Sequence, residues 1–404
     1  MKKILFSLLA LSAICSVAGA QEPADMYYVV NYRYEYSVHN ANDGTFYRKT
    51  SFATVKNIGI DNKHNVYLLV GENNPREKGS SYTVYKNGEI YQTLNAVSLD
   101  HFYSSMAMKV VGNDVVVAGV ESRLFNDKGY ESRMVGYVNG ELVYQTDWHR
   151  KSLKREKFKG YSEILYWEGK PSGIAAVEGF NSIRGEYSGA DRKSLVYYVS
   201  AVDYVDGNIY TTGWGEREYS ETHVGYNTVY FVRRCPRVWK NGKEIVQQYE
   251  NRTGAGYSIN VMRNGKNILT SGHQRGHICG WDGNKVMFSS NLNDTKVLKE
   301  AVIFNGMADG TPLFTRMFIS NNDNILYMVN TAKNGKQEPV YVEGSKIVDV
   351  VAVGNDFYAL SARNKKIYKF SSSNWLSGNF EKSTVKKIDE PEEGGSYALL
   401  AVHN

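Results

Sequence analysis

His273 and His277, in Gly-His-Gln-Arg-Gly-His, are the most metal-like pair in this chain. Imidazoles four residues apart share one face only on a helix. Here they follow the strand-like residues 267–272, with Gly276 between them. No glutamate stands where a zincin motif needs one. The pair therefore reads as loop histidines, and neither metal nor cofactor is expected. No Gly-x-Ser-x-Gly elbow, Walker loop or dinucleotide fingerprint is present. A polysaccharide hydrolase or lyase would need two or three carboxylates, or a His/Tyr/Arg set, with candidates including Glu216, Glu218, His273 and His277 and carboxylate pairs about 5–10 Å apart. A different pattern is more regular. Seven basic residues, Arg76, Arg123, Arg184, Arg217, Arg275, Lys333 and Arg363, each follow a recurring strand phrase by a few positions. The rigid guanidinium fork suits carboxylate or phosphate. Phe125, Phe180, Trp214 and Tyr219 lie in the same segments. Aromatic and charged side chains on one concave face line a binding site. Glu72, Glu121, Glu178, Glu216 and Glu218 lie close by, so the alternative is a set of surface ion pairs.

The elements that must position these residues come from the phrase itself. A polar turn precedes an apolar run that ends near glycine or a small polar residue. It reads Asn65-Val-Tyr-Leu-Leu-Val-Gly71, Asp114-Val-Val-Val-Ala-Gly119, Asn208-Ile-Tyr-Thr-Thr-Gly213 and Asn267-Ile-Leu-Thr-Ser-Gly272. Looser copies start at Gly173, Asn324 and Asp356. A second phrase, an aromatic residue then a tight turn, accompanies it at 84–88, 136–140, 238–242, 280–283 and 340–344. Asn-Gly between apolar runs is a hairpin signal, because a type I′ turn needs positive φ at both central residues. One repeat thus reads as four antiparallel strands. The seven copies lie about 48 residues apart, within the 40–50 typical of four-stranded repeat units. The third and seventh copies lack a clear hairpin phrase, which leaves six to eight repeats open around a count of seven.

The "VYVAG"-type strand paired with Val238-Trp-Lys-Asn-Gly242 resembles the secreted repeat proteins of Bacteroidetes-type bacteria that form β-propellers. The resemblance covers roughly residues 54–388. It implies an all-β, single-domain propeller of four-stranded blades. The strand-like ends, 26–50 and 396–404, are expected to close the ring in one shared blade, which leaves only short protected edges. Loops joining second to third strands then open on one face, and the seven basic residues would form a ring there. Asn42-Asp-Gly-Thr45 faintly echoes the Asp-box turn of sialidase-like propellers but reads better as a hairpin turn.

Composition bounds the rest. Lys2 and Lys3, the apolar run Ile4–Ile14 and Ala18-Gly-Ala20 read as a cleavable export signal, so the mature chain is expected to start at Gln21. Cys15 follows Ile14 rather than the small residue a lipoprotein signal needs. No later stretch reaches the roughly 18 apolar residues of a membrane helix. Removing two lysines lowers the formal charge from +6 to +4, too little to argue for nucleic acid. The run from Trp148 to Lys159 is the most basic segment, read as a solvated connector or a polyanion patch. Cys235 and Cys279 precede Trp239 and Trp281 in equivalent strands, as a disulfide or as two buried thiols. The expected function is an exported, non-enzymatic protein that binds a peptide, protein or glycan on the loop face. The alternatives are the polysaccharide enzyme and a structural subunit of an envelope complex.

Overall fold

The computed structural model describes residues 25–403 apart from 34, 51–52, 75–78, 96–100, 125–129, 151–161, 168–169, 177–196, 225–226, 248–253, 263–264, 275–276, 290–296, 321–323, 334 and 343. Among the described residues, thirty-one strands form seven antiparallel blades around a central channel. From channel to rim, blade 1 runs Ala53–Ile60, Val66–Asn74, Gly79–Lys86 and Glu89–Leu94. Blade 2 begins with His101–Val111 and Asp114–Leu124, and blade 3 with Tyr197–Val205 and Asn208–Val224. Blade 4 begins with Gly254–Val261 and Ile268–Gln274. Blade 5 runs Val297–Ala308, Thr311–Ser320, Leu326–Asn330 and Gln337–Pro339, and blade 6 begins with Ile347–Val353 and Asp356–Ser361. Blade 7 takes its inner strand, Ser396–His403, from one chain end and its other three, Asp25–Asn31, Glu35–Asn40 and Gly44–Thr50, from the other. The ring closes as the sequence implied.

Two of the seven phrases sit elsewhere than expected. Residues 173–176 belong to Lys170–Ala176, half of a hairpin whose other strand, Ser162–Trp167, joins blade 3 through a parallel bridge, Tyr166 to Phe231. The Asn324 phrase is the third strand of blade 5, and residues 340–342 follow its outer strand. In blade 5 the true second strand, Thr311–Ser320, carries proline, phenylalanine and a buried arginine instead of the phrase. The count of seven survives because blades 5 and 7 replace the two misplaced copies.

The turn phrases act together in blades 1 to 4. Asn87, Asn139 and Asn241, in the hairpins between third and outer strands, accept an N–H from the start of the second strand, from Val66, Val115 and Ile209 at 2.8–2.9 Å. Asp282 does the same for Ile268 at 3.1 Å. Each also bonds the polar residue that opens the phrase: Asn65, Asp114, Asn208 or Asn267. The two turns on one face, hereafter the hairpin face, are thus clipped to each other. The opposite face, with second-to-third-strand and inter-blade connections, is the loop face.

Every inner strand carries a bulge, at Lys56, Ser104, Ser200, Tyr257, Leu298, Val348 and Ala398. Bulges bend a strand and re-aim its side chains. Asn57, Ser105 and Asp349, each directly after the bulge, accept an N–H from the next blade's inner strand: Met108, Val199 and Leu400. Seven apolar clusters fill the ring, one between each pair of blades; Val116, Ala118 and Trp239 belong to the one between blades 2 and 3. Arg316 and Glu300, both buried, pair at 2.6 Å, and Arg316 Nη2 also donates to Thr270 O, joining blade 5 to blade 4.

Candidate functional site

The strands approaching the loop face are longer than the sequence suggested, so several expected loop residues lie on strands. The second strand of blade 3 reaches Val224 and its partner runs Asn227–Lys240, forming a hairpin that stands above the loop face. Arg217 lies in it, opposite Arg233, with Glu216 opposite Arg234 and Glu218 opposite Val232. Arg76, Arg184 and Arg275 lie outside the described residues, as do Phe125, Phe180 and the basic run from Lys151 to Lys159.

Arg123 is occupied. It grips Glu131 through Nε at 2.9 Å and Nη2 at 2.8 Å, and its guanidinium lies 4.1 Å from the centre of the Trp148 ring. Arg133 covers the same ring at 4.6 Å and bonds Glu121, which also takes His101. The ion-pair alternative therefore holds at this position. Lys333 departs from the proposed ring. It sits in the third-to-outer connection of blade 5, on the hairpin face, paired with Glu338 at 3.2 Å. Arg363 lies on the loop face, exposed, beside a groove of about 720 Å³ with Ile325, Tyr341 and Lys346. His273 is the penultimate residue of one strand and His277 the first of its partner, on either side of residues 275–276. His277 is opposite Gln274 and His273 opposite Ile278, so the pleat sends the two rings to opposite sides of the blade. Among the described residues no group of three or more histidines, cysteines and carboxylates is placed to hold a metal ion. Cys235 and Cys279 are buried on third strands of adjacent blades and no disulfide joins them.

Trp214 and His273 do come together with residues that the sequence reading missed. Trp214 stacks in parallel on Tyr198 of the inner strand, with centroids 5.8 Å apart and planes 6° apart. His273 stacks on Tyr257 at 5.5 Å and 18°. Tyr257 is the bulge residue of blade 4, which is why its ring leaves the regular alternation. The two stacks lie on neighbouring blades at the loop-face end. Tyr198 is more than one third exposed, and Tyr82 of blade 1 lies close enough to Tyr198 to feel its charge. Burial, then that neighbour, pushes the Tyr82 and Tyr257 phenols up to about 12. They stay neutral at physiological pH, and the Tyr82 phenol is already bonded to the Met106 backbone.

Lys56, the bulge residue of blade 1, completes the mouth. Its stem crowds Gly71 beside the Tyr82 ring. Its side chain reaches channel water, yet the surrounding atoms hem it in enough that burial lowers its pKa. Among the described residues it has no carboxylate partner. The glycines ending the phrase have a positional reason here. A Cβ on Gly213 would lie 1.8 Å from Tyr198 O, and one on Gly272 1.9 Å from Ala255 O, directly beside the bulges. The phrase could have revealed its glycines' role, but the bulge aromatics carry no spacing signal of their own.

No family model and no curated protein matches the chain. Similar solved structures include a periplasmic gluconolactonase from Pseudomonas aeruginosa, 11% identical over 94% of this chain and 99% of that one, with a TM-score of 0.43. A candidate 6-phosphogluconolactonase from Bacteroides fragilis is 9% identical over 95% and 99%, with a TM-score of 0.44. The β-propeller domain of the Trilobed protease from Pyrococcus furiosus is 11% identical over 89% and 88%, with a TM-score of 0.41. Likeness at this level carries no inference about activity, since one fold hosts unrelated functions.

Proposed function

We propose that this chain is an exported binding protein rather than an enzyme, kin to the secreted Bacteroidetes-type propeller repeats. Its loop-face mouth receives a peptide, protein or glycan that presents a ring or other flat group. The observation that carries the reading is the pair of parallel aromatic stacks, Tyr198–Trp214 and Tyr257–His273, on adjacent blades. Partly exposed aromatic faces beside neutral phenols and a lysine suit ring stacking with hydrogen bonds around it. Affinity capture from the native envelope, followed by mass spectrometry, identifies the ligand. The double change Tyr198→Ala and Trp214→Ala should then weaken its binding at least about thirtyfold, as loss of an aromatic hot spot does. Unchanged affinity would place the site elsewhere. N-terminal sequencing of the protein from its native cells tests export, with Gln21 the expected first residue.

One observation favours a second reading, a subunit of an envelope complex. Ile90, Leu142, Val143 and Ile245 stand 40–66% exposed on the outer strands of blades 1, 2 and 3. Successive apolar rims suit a protein partner. Leu142→Glu with Val143→Lys should abolish any large assembly seen by native gel electrophoresis of envelope extracts, while leaving loop-face binding intact.

A further inference from the structure

The hairpin-face end of the channel holds a cavity of about 640 Å³ among the inner strands of blades 2, 3, 4 and 5. That is within the roughly 300–1,000 Å³ of small-molecule sites. None of the residues suggested by the sequence lies in it. The repeat rules break at this point. Six inner strands carry one bulge each, near the loop face, whereas that of blade 5 carries a second, at Asn305 between Phe304 and Gly306. This strand, Val297–Ala308, is also the longest inner strand. The extra bulge leaves Phe304 45% exposed on the cavity wall, with Phe314 packed behind it at 5.7 Å. A bulge that departs from an otherwise strict repeat marks a place where a side chain has been re-aimed.

The polar groups of the wall divide into committed and available ones. Asp203 is 4% exposed and fully used, accepting from Lys109 Nζ at 2.6 Å, Tyr204 N at 2.9 Å and Val261 N at 2.7 Å. Asp114 accepts from Asn139. Left over are the remaining ammonium protons of Lys109, the exposed carboxylate of Asp206 and the part-exposed side chain of Asn260. We infer that this cavity binds a neutral saccharide or polyol, with its C–H face on Phe304 and its hydroxyls on Lys109, Asp206 and Asn260. Hydroxyls donate and accept at once and so match a wall that offers both donors and acceptors. An anion meets Asp114 and Asp206, whose charges Lys109 does not offset because it is already paired with Asp203. The inference is independent of the loop-face reading, because the two mouths share no residue.

Saturation-transfer NMR and titration calorimetry with cellobiose, maltose and N-acetylglucosamine test it, with glucuronate and putrescine as charged counterparts. At least one of the neutral sugars should bind. Phe304→Ala should weaken that binding about tenfold or more, the scale of one lost aromatic contact. The melting temperature should hold, since the ring is half exposed, and Trp214→Ala should leave the sugar's affinity unchanged. The inference is overturned if none of the three sugars binds, if only glucuronate or putrescine binds, or if sugar binding follows Trp214 instead of Phe304.

Discussion

The two mouths of the channel are built from the same seven inner strands yet by opposite means. On the hairpin face, short turns are clipped by asparagine and aspartate side chains, and Asp203 ties three blades together with every oxygen engaged. On the loop face, the bulge of blade 4 throws out the Tyr257 ring, the strands of blade 3 run past the blade body, and Lys56 lacks a carboxylate partner among the described residues. The turns of the hairpin face are held by committed side chains, whereas the loop face mixes tied groups, such as Arg123 with Glu131, with uncommitted ones. The exception on each face is where a blade breaks the repeat: the long hairpin of blade 3 on the loop face, the second bulge of blade 5 on the hairpin face. Departures from a repeat, more than its conforming positions, mark candidate sites.

The largest effect should come from glycine. At the loop-face end, Gly272→Ala drives a methyl group into Ala255 O, a backbone atom that moves only if two strands part. The loss should be about 4 kcal/mol or more, in the exceptional tail of single substitutions. On the hairpin face, Gly207 has φ of +73°, and a methyl group there would meet nothing within 4 Å. Gly207→Ala should cost about 1 kcal/mol, the strain of a left-handed backbone alone. Urea midpoints at constant slope measure both. Equal costs would erase the distinction between glycines that make room and glycines that allow a turn.

Ion pairs should separate next. Asp203→Ala strips a buried acceptor from Val261 N and Lys109 together, an expected loss of about 3 kcal/mol. Arg123 is 42% exposed on its side-chain surface but its partner Glu131 is buried, so Arg123→Met should cost about 1–2 kcal/mol, the penalty of an acceptor left short of a partner where water still reaches the vacated side. Comparable losses in urea melts would mean that the loop-face clamp around Trp148 is as structural as the hairpin-face tie.

This contrast explains what could be read in advance. Turn chemistry is local, so Asn87-Gly88, Asn139-Gly140 and Asn241-Gly242, all with positive φ, announce their hairpins in the sequence. Ring closure was legible as strand-like segments at both ends of the chain, 26–50 and 396–404. Bulges are set by pairing between strands, and nothing in Gly-Tyr257-Ser or Val-Lys56-Asn distinguishes a bulge from a regular position. Hence Tyr257 and Lys56 were missed, while Trp214 and His273 were found only because they follow the phrase. Lys333 was misplaced because blade 5 moves the phrase to its third strand, which reverses the face on which the following residue emerges.

The smallest effect tests whether the loop-face mouth keeps a charge at a cost. Burial lowers the Lys56 pKa below its ordinary 10.5. A folded-state pKa below the unfolded one means that the unfolded chain binds the extra proton more readily. The ammonium therefore costs stability below the folded value, and the cost disappears as pH rises towards 10.5. Lys56→Met should be slightly more stable than the native chain at about pH 7, with the gap closing at about pH 10. The difference between the two proteins isolates the lysine, because raised phenol pKa values such as those of Tyr82 and Tyr257 affect both alike. If the variant is less stable near neutral pH and the gap ignores pH, the stem of Lys56 packing on Tyr82 outweighs its charge. The lysine would then be a wall element like those of the hairpin face. If the expected pattern appears together with weaker ligand binding, stability has been given up at this mouth for recognition.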